Sequence, residues 1–187
     1  MSKLIHSLTA DSLCQTMQSA GFKAEIILDP AAGGPIVRSA TNGVGFDIHL
    51  GNKSGADRDG RVDAGFAMTF KIVGDIQRSI INKWNNTRRF ARLLVDDRVP
   101  TQELLVLSMD IVVAGGVAPS HLRSQIEIWD RLVRELIAWL PAELSALRAA
   151  DGAKGQEPIA VSEGGGDLAP GPLGAVAREP MVGFTSA

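Results

Sequence analysis

Asn42-Gly43 constrains this chain more than any other pair of residues, because it joins two stretches of strand-like sequence. Both residues of such a two-residue loop accept positive φ, and the turn they form matches the twist of paired strands. Ile36–Ala40 and Val44–Leu50 are therefore expected to lie side by side, antiparallel. In the second stretch Val44, Phe46, Ile48 and Leu50 face one way, and Gly45, Asp47 and His49 face the other. A sheet with one apolar face must be covered, so the rest of the chain must supply more strands and a layer above them.

The same reasoning places the other elements. A first helix follows Thr9, a residue suited to capping, with Leu8 and Leu13 placed to pack across the cap and Leu13, Met17 and Ala20 on one face. A strand is expected near Ala24–Asp29, and another carries Phe66, Met68, Phe70 and Ile72 on one side. Ile76, Ile80 and Trp84 mark one face of a second helix, expected to start near Asp75 and to end at Asn85-Asn86. Arg88–Val95 and Glu103–Val113 read as a second hairpin. Its second strand buries Leu105, Leu107, Met109, Ile111 and Val113. The opposite face carries Leu104, Val106 and Val112 beside Ser108 and Asp110, too apolar for plain exposure. After Gly115-Gly116, Pro119 suits the first turn of a third helix, whose stripe runs Leu122, Ile126, Trp129, Val133, Leu136, Leu140 and is widened by Ile128, Leu132 and Trp139. The order α-β-β-β-β-α-β-β-α predicts an α+β fold, a mainly antiparallel sheet packed by helices.

Composition sets the limits of function. With 45% apolar residues the chain can bury a core, and its net charge of −2 gives no general attraction to nucleic acid or an anionic membrane. The lone Cys14 excludes an internal disulfide, and no leader or membrane-spanning run is visible, so a cytoplasmic location is expected. Residues 1–142 carry a net charge of +1 and form the expected domain. Residues 143–187 carry −3. They begin with a short helical extension that Asp151-Gly152 should stop, and continue as a Gly- and Pro-rich acidic tail expected to be disordered.

Asn82-Lys83-Trp84-Asn85, followed by Arg88-Arg89-Phe90, resembles the most recognisable motif of the YbjN family. Met109-Asp110 with Gly115-Gly116-Val117, and then a helix containing Trp129, resembles that family's next block. The match runs from about Leu8 to Leu136. This resemblance implies a fold like that of type III secretion chaperones and a role in regulating sensory transduction, with links to stress responses and motility. It implies no reaction, cofactor or pocket. Ala118 departs from the pattern, since the family often places a hydroxyl cap before the proline.

The motif also has an architectural reading. Trp84 anchors the second helix, Asn85 ends it, and Arg88 would face Asp110 across a symmetric hairpin as an ion pair. The functional reading makes Arg88, Arg89 and Arg92 a contact patch for an acidic partner, with Leu104, Val106 and Asp110 on the neighbouring strand face.

Reactive constellations are not evident. His6, His49 and His121 have no metal-ligand spacing, and Cys14 has no base to activate it. Asp57-Arg58-Asp59-Gly60 fails as a calcium loop because Phe66 stands where a bidentate Glu is needed. Gly33-Gly34-Pro35 lacks the phosphate-loop pattern, and Arg88-Arg89 is too short a basic patch for nucleic acid. The expectation is a noncatalytic regulatory or chaperone-like module that binds a protein partner, without cofactor or metal. Homodimerisation through the third helix or through Glu103–Val113 would be compatible with it. The alternative is a small-ligand sensor whose pocket lies between the sheet and the third helix, and an enzyme built around Asp110 ranks last.

Overall fold

The Asn42-Gly43 loop closes as expected, with φ of +51° and +77°. It joins β2 (Gly34–Thr41) to β3 (Val44–Leu50), with Thr41 opposite Val44 and Val37 opposite Ile48. The computed structural model describes residues 3–29, 33–55, 57, 59–71, 77–96 and 104–154. Around that hairpin stand β1 (Ala24–Asp29), β4 (Asp63–Lys71), β5 (Arg92–Asp96) and β6 (Leu104–Val112), all antiparallel. The sheet order is β1-β2-β3-β4-β6-β5. The first four strands form an antiparallel meander, and β6 inserts beside β4 and leaves β5 at the edge.

All three helices bury their apolar faces in one core with one face of this sheet. The helix α1 (Ala10–Ser19) starts at a reciprocal cap: the Ser12 N–H donates to the Thr9 hydroxyl at 3.1 Å, and the Thr9 N–H donates to the Ser12 hydroxyl at 2.9 Å. It buries Leu13 and Met17, with Leu8 beneath. The helix α2 (Arg78–Thr87) buries Ile80 and Trp84. The expected start at Asp75, and the apolar positions Ile72 and Ile76, lie outside the described residues. Phe46, Phe66 and Trp129 fill the space between the sheet and α3 (Pro119–Lys154), with ring centroids 5.3 to 6.1 Å apart. Each apolar side chain so buried contributes roughly 1.5–3 kcal/mol, which makes this face the main source of stability.

Several local expectations need correction. The helix α2 continues through Asn85 and Asn86 to Thr87, because both asparagines remain helical and Asn85 spends its amide on a tertiary contact. Strand β5 begins at Arg92 rather than Arg88, because the chain reverses through Phe90 at φ +74°. Asp151-Gly152 does not stop α3, which runs to Lys154 and passes through Pro141 as well. The core explains part of this persistence: Leu144 and Leu147 still pack against it, and Glu143 holds Lys83 of α2 at 2.7 Å. Residues 155–187 lie outside the described residues. Gly116, at φ +94°, lies so close to the His6 imidazole that a Cβ there would come within 2.5 Å of it, so the glycine is required twice over.

Candidate functional site

The motif residues converge where α2 turns into β5. Trp84 is fully buried, its ring 5.3 Å from that of Trp139 on α3. The next residue, Asn85, reaches β5: its amide donates to the Leu93 carbonyl at 3.0 Å, and its carbonyl accepts from the Leu93 N–H at 2.8 Å. A side chain thus occupies the edge of β5 as a neighbouring strand would. Asn82 lies on the exposed side of α2.

Arg88 is drawn into the architecture. Its guanidinium lies 5.4 Å from the centroid of the Trp84 ring, and its Nε sits 3.0 Å from Glu135 Oε2 without the alignment of a hydrogen bond. The expected Arg88–Asp110 pair does not form. The β5–β6 register puts Arg92 opposite Ser108, and Asp110 faces Gly65 of β4. Because β5 starts only at Arg92, Arg88 never enters the ladder. Glu135 carried no signal in the sequence, whereas Trp139 was legible as part of the helical stripe.

Arg89 and Phe90 remain outside. Phe90 is 60% exposed, and the Arg89 guanidinium lies 5.8 Å from its ring centroid. A bulky residue in the left-handed region costs on the order of 1–2 kcal/mol, offset here only by the covered part of the ring. Beyond them the sheet face turned away from the helices begins. Arg92 is exposed, Leu94 is 45% exposed opposite the half-buried Val106, and Leu104 and the exposed Asp110 flank that strip. The apolar second face read from the sequence is present, and all three helices pack on the other side.

The residues of catalytic interest are dispersed. His6 lies close against Gly116, His49 lies on β3 opposite Ile36, and His121 sits in the first turn of α3. Among the described residues no three of His, Cys, Asp and Glu gather as a metal site, and no helix is long and apolar enough to cross a membrane. Burial pushes the Cys14 thiol above its ordinary pKa, and the nearby Asp11 and Glu25 carboxylates add to the shift. The arrangement at the α2–β5 corner suits recognition of a surface: an aromatic ring, two exposed guanidinium groups and an adjoining apolar strip.

A family model described as "YbjN: Putative bacterial sensory transduction regulator" matches residues 9–142. Among solved structures the chain is similar to the crystal structure of YbjN, "a putative transcription regulator from E. coli". The two share 15% identity, with 78% of this chain and 97% of that one covered and a TM-score of 0.54, a likeness of fold. No curated protein matches the sequence.

Proposed function

This chain belongs to the YbjN family, and from that premise we propose that it is a noncatalytic regulatory protein that acts by binding another protein. The contact surface is the Arg89-Phe90 corner together with Arg92, Leu94 and Val106 on the open sheet face. Its ligand is an acidic segment with an apolar side chain, since two guanidinium groups flank an aromatic ring and an aliphatic strip.

The observation that carries this reading is Phe90. The turn from α2 into β5 needs a left-handed residue, and glycine or asparagine would provide it without strain. Phenylalanine at that position keeps a strained backbone and an exposed ring, a combination typical of surfaces used for recognition. Phe46, Phe66 and Trp129 occupy the space a small-ligand sensor would need beneath α3, which favours the protein-binding reading over that alternative.

The test is crosslinking capture from the native cytoplasm with quantitative mass spectrometry, comparing the wild type with Phe90→Asn and Arg89→Glu. Phe90→Asn relieves ~1–2 kcal/mol of backbone strain and gives up a burial contribution of similar size from the covered part of the ring. Folding should therefore be nearly unchanged. A partner recovered stoichiometrically with the wild type and lost with both variants is the expected result. A partner retained by both folded variants removes this surface from the function.

A further inference from the structure

The helix α3 starts its second half at the α2–β5 corner and then leaves it. Its Glu135 sits on Arg88, Trp139 lies beside Trp84 and Glu143 holds Lys83, so α3 runs antiparallel to α2. From Glu135 to Lys154 a helix rises about 1.5 Å per residue, which puts its end about 28 Å from the corner. The sequence that follows carries the carboxylates of Glu157, Glu163, Asp167 and Glu179 against Arg178 alone, and then the apolar residues Met181, Val182 and Phe184. The corner has the opposite sign. Residues 78–96 carry Arg78, Lys83, Arg88, Arg89 and Arg92 against Asp96 alone, and Arg89 and Arg92 are exposed beside Phe90 and Leu94.

We propose that residues 179–184 of the same chain dock on this corner and compete there with the protein partner. The inference rests on the protein-binding reading of the corner and adds its regulation. Glu179 meets the guanidinium groups of Arg89 and Arg92, while Met181 and Phe184 cover Phe90 and the strip of Leu94 and Val106. Chemistry selects this occupant, since an acidic residue followed by apolar side chains is what the surface takes. Length selects it too. A Gly-rich linker as long as residues 155–178 has a typical end-to-end distance of ~25–30 Å. That matches the span to be bridged, the condition under which a tethered ligand reaches its highest local concentration. Strand β5 is the sheet edge, so the segment reaches the open face by rounding it. An effective concentration of ~1 mM against a segment affinity of ~0.1 mM leaves the surface open in about a tenth of the molecules. An external partner then binds about tenfold more weakly than it would to a chain whose tail cannot dock.

Paramagnetic broadening in the full chain tests this. Cys14 is buried and slow to react, so Ser186→Cys supplies the thiol that takes a nitroxide label. Amide signals of Arg89, Phe90, Leu94 and Val106 should broaden relative to the reduced label, and those of β1, at the other edge of the sheet, should not. Glu179→Lys, Phe184→Ser and Phe90→Asn, each added to the labelled chain, should relieve the broadening several-fold. In the crosslinking capture, Phe184→Ser should raise apparent affinity for the partner by about tenfold. Absence of broadening at the corner overturns the proposal, as does broadening indifferent to all three substitutions. Equal broadening in a mixture of nitroxide-bearing chain with isotope-labelled chain lacking the nitroxide overturns docking within one chain. The label reads docking with no partner present, so the two readings fail separately. Broadening lost in the variants, with no protein captured, keeps the docking and overturns the protein-binding reading. Capture that depends on Phe90 but is unchanged by Phe184→Ser keeps that reading and overturns the competition.

Discussion

Replacing Asn85 by alanine removes the two hydrogen bonds that tie α2 to the edge of β5. A net ~0.5–1.5 kcal/mol for each gives ~1–3 kcal/mol. The site is only partly buried and water can reach the edge, so the middle of that range, about 2 kcal/mol, is expected. For a domain of this size the loss lowers Tm by about 4–8 °C. Asn85→Asp keeps an acceptor for the Leu93 N–H but loses the donor and sets a carboxylate against the Leu93 carbonyl. It should cost at least as much at neutral pH and less in acid, where the carboxyl is protonated. Urea denaturation at several pH values measures both, and hydrogen exchange reports the Leu93 amide directly. A loss below about 0.5 kcal/mol for Asn85→Ala, with the Leu93 amide still protected, would refute the reasoning. In that case Trp84 and its packing on Trp139 hold α2 without help from the amide.

Other outcomes follow from single contacts. The carbonyl of Ala118 accepts the first bonds of α3, but its side chain cannot cap the helix, so Ala118→Ser should raise stability by about 1 kcal/mol in urea titrations. Asp130 of α3 accepts hydrogen bonds from the Thr41 hydroxyl and the Asn42 amide at the hairpin turn and pairs with Arg134. Asp130→Ala should therefore cost ~1–3 kcal/mol and speed amide exchange around Thr41 and Val44. The Ser7 hydroxyl and the Asp59 N–H hold the Asp57 carboxyl below the usual carboxylate range. Its contribution is present above the ordinary aspartate pKa and disappears as pH falls through its lowered value. The stability difference between the wild type and Asp57→Asn should therefore vanish toward acid pH. Cys14 stays a buried thiol at neutral pH, so alkylation should be slow in the native protein and rise sharply on unfolding.

What the sequence determined by itself was mostly local and periodic. Asn42-Gly43 set the turn and register of β2 and β3, because only a narrow set of residues accepts two successive positive φ values. The alternation of Phe46 and Ile48, and of Leu105 through Ile111, identified the buried face of the sheet, and the stripe from Leu122 to Leu136 identified the helix covering it. Tertiary structure decided what such patterns do not encode. Periodicity cannot say that β6 lies between β4 and β5, since pairing of distant strands depends on how α2 and α3 cover the sheet. It also could not assign Asn85 to a strand edge. Asparagine suits a helix end and a cross-element amide bridge equally well, and only the approach of Leu93 chooses between them. Arg88 found Glu135 rather than Asp110 because Phe90 reverses the chain before β5 begins, and nothing in the local sequence asks a phenylalanine to adopt a left-handed backbone.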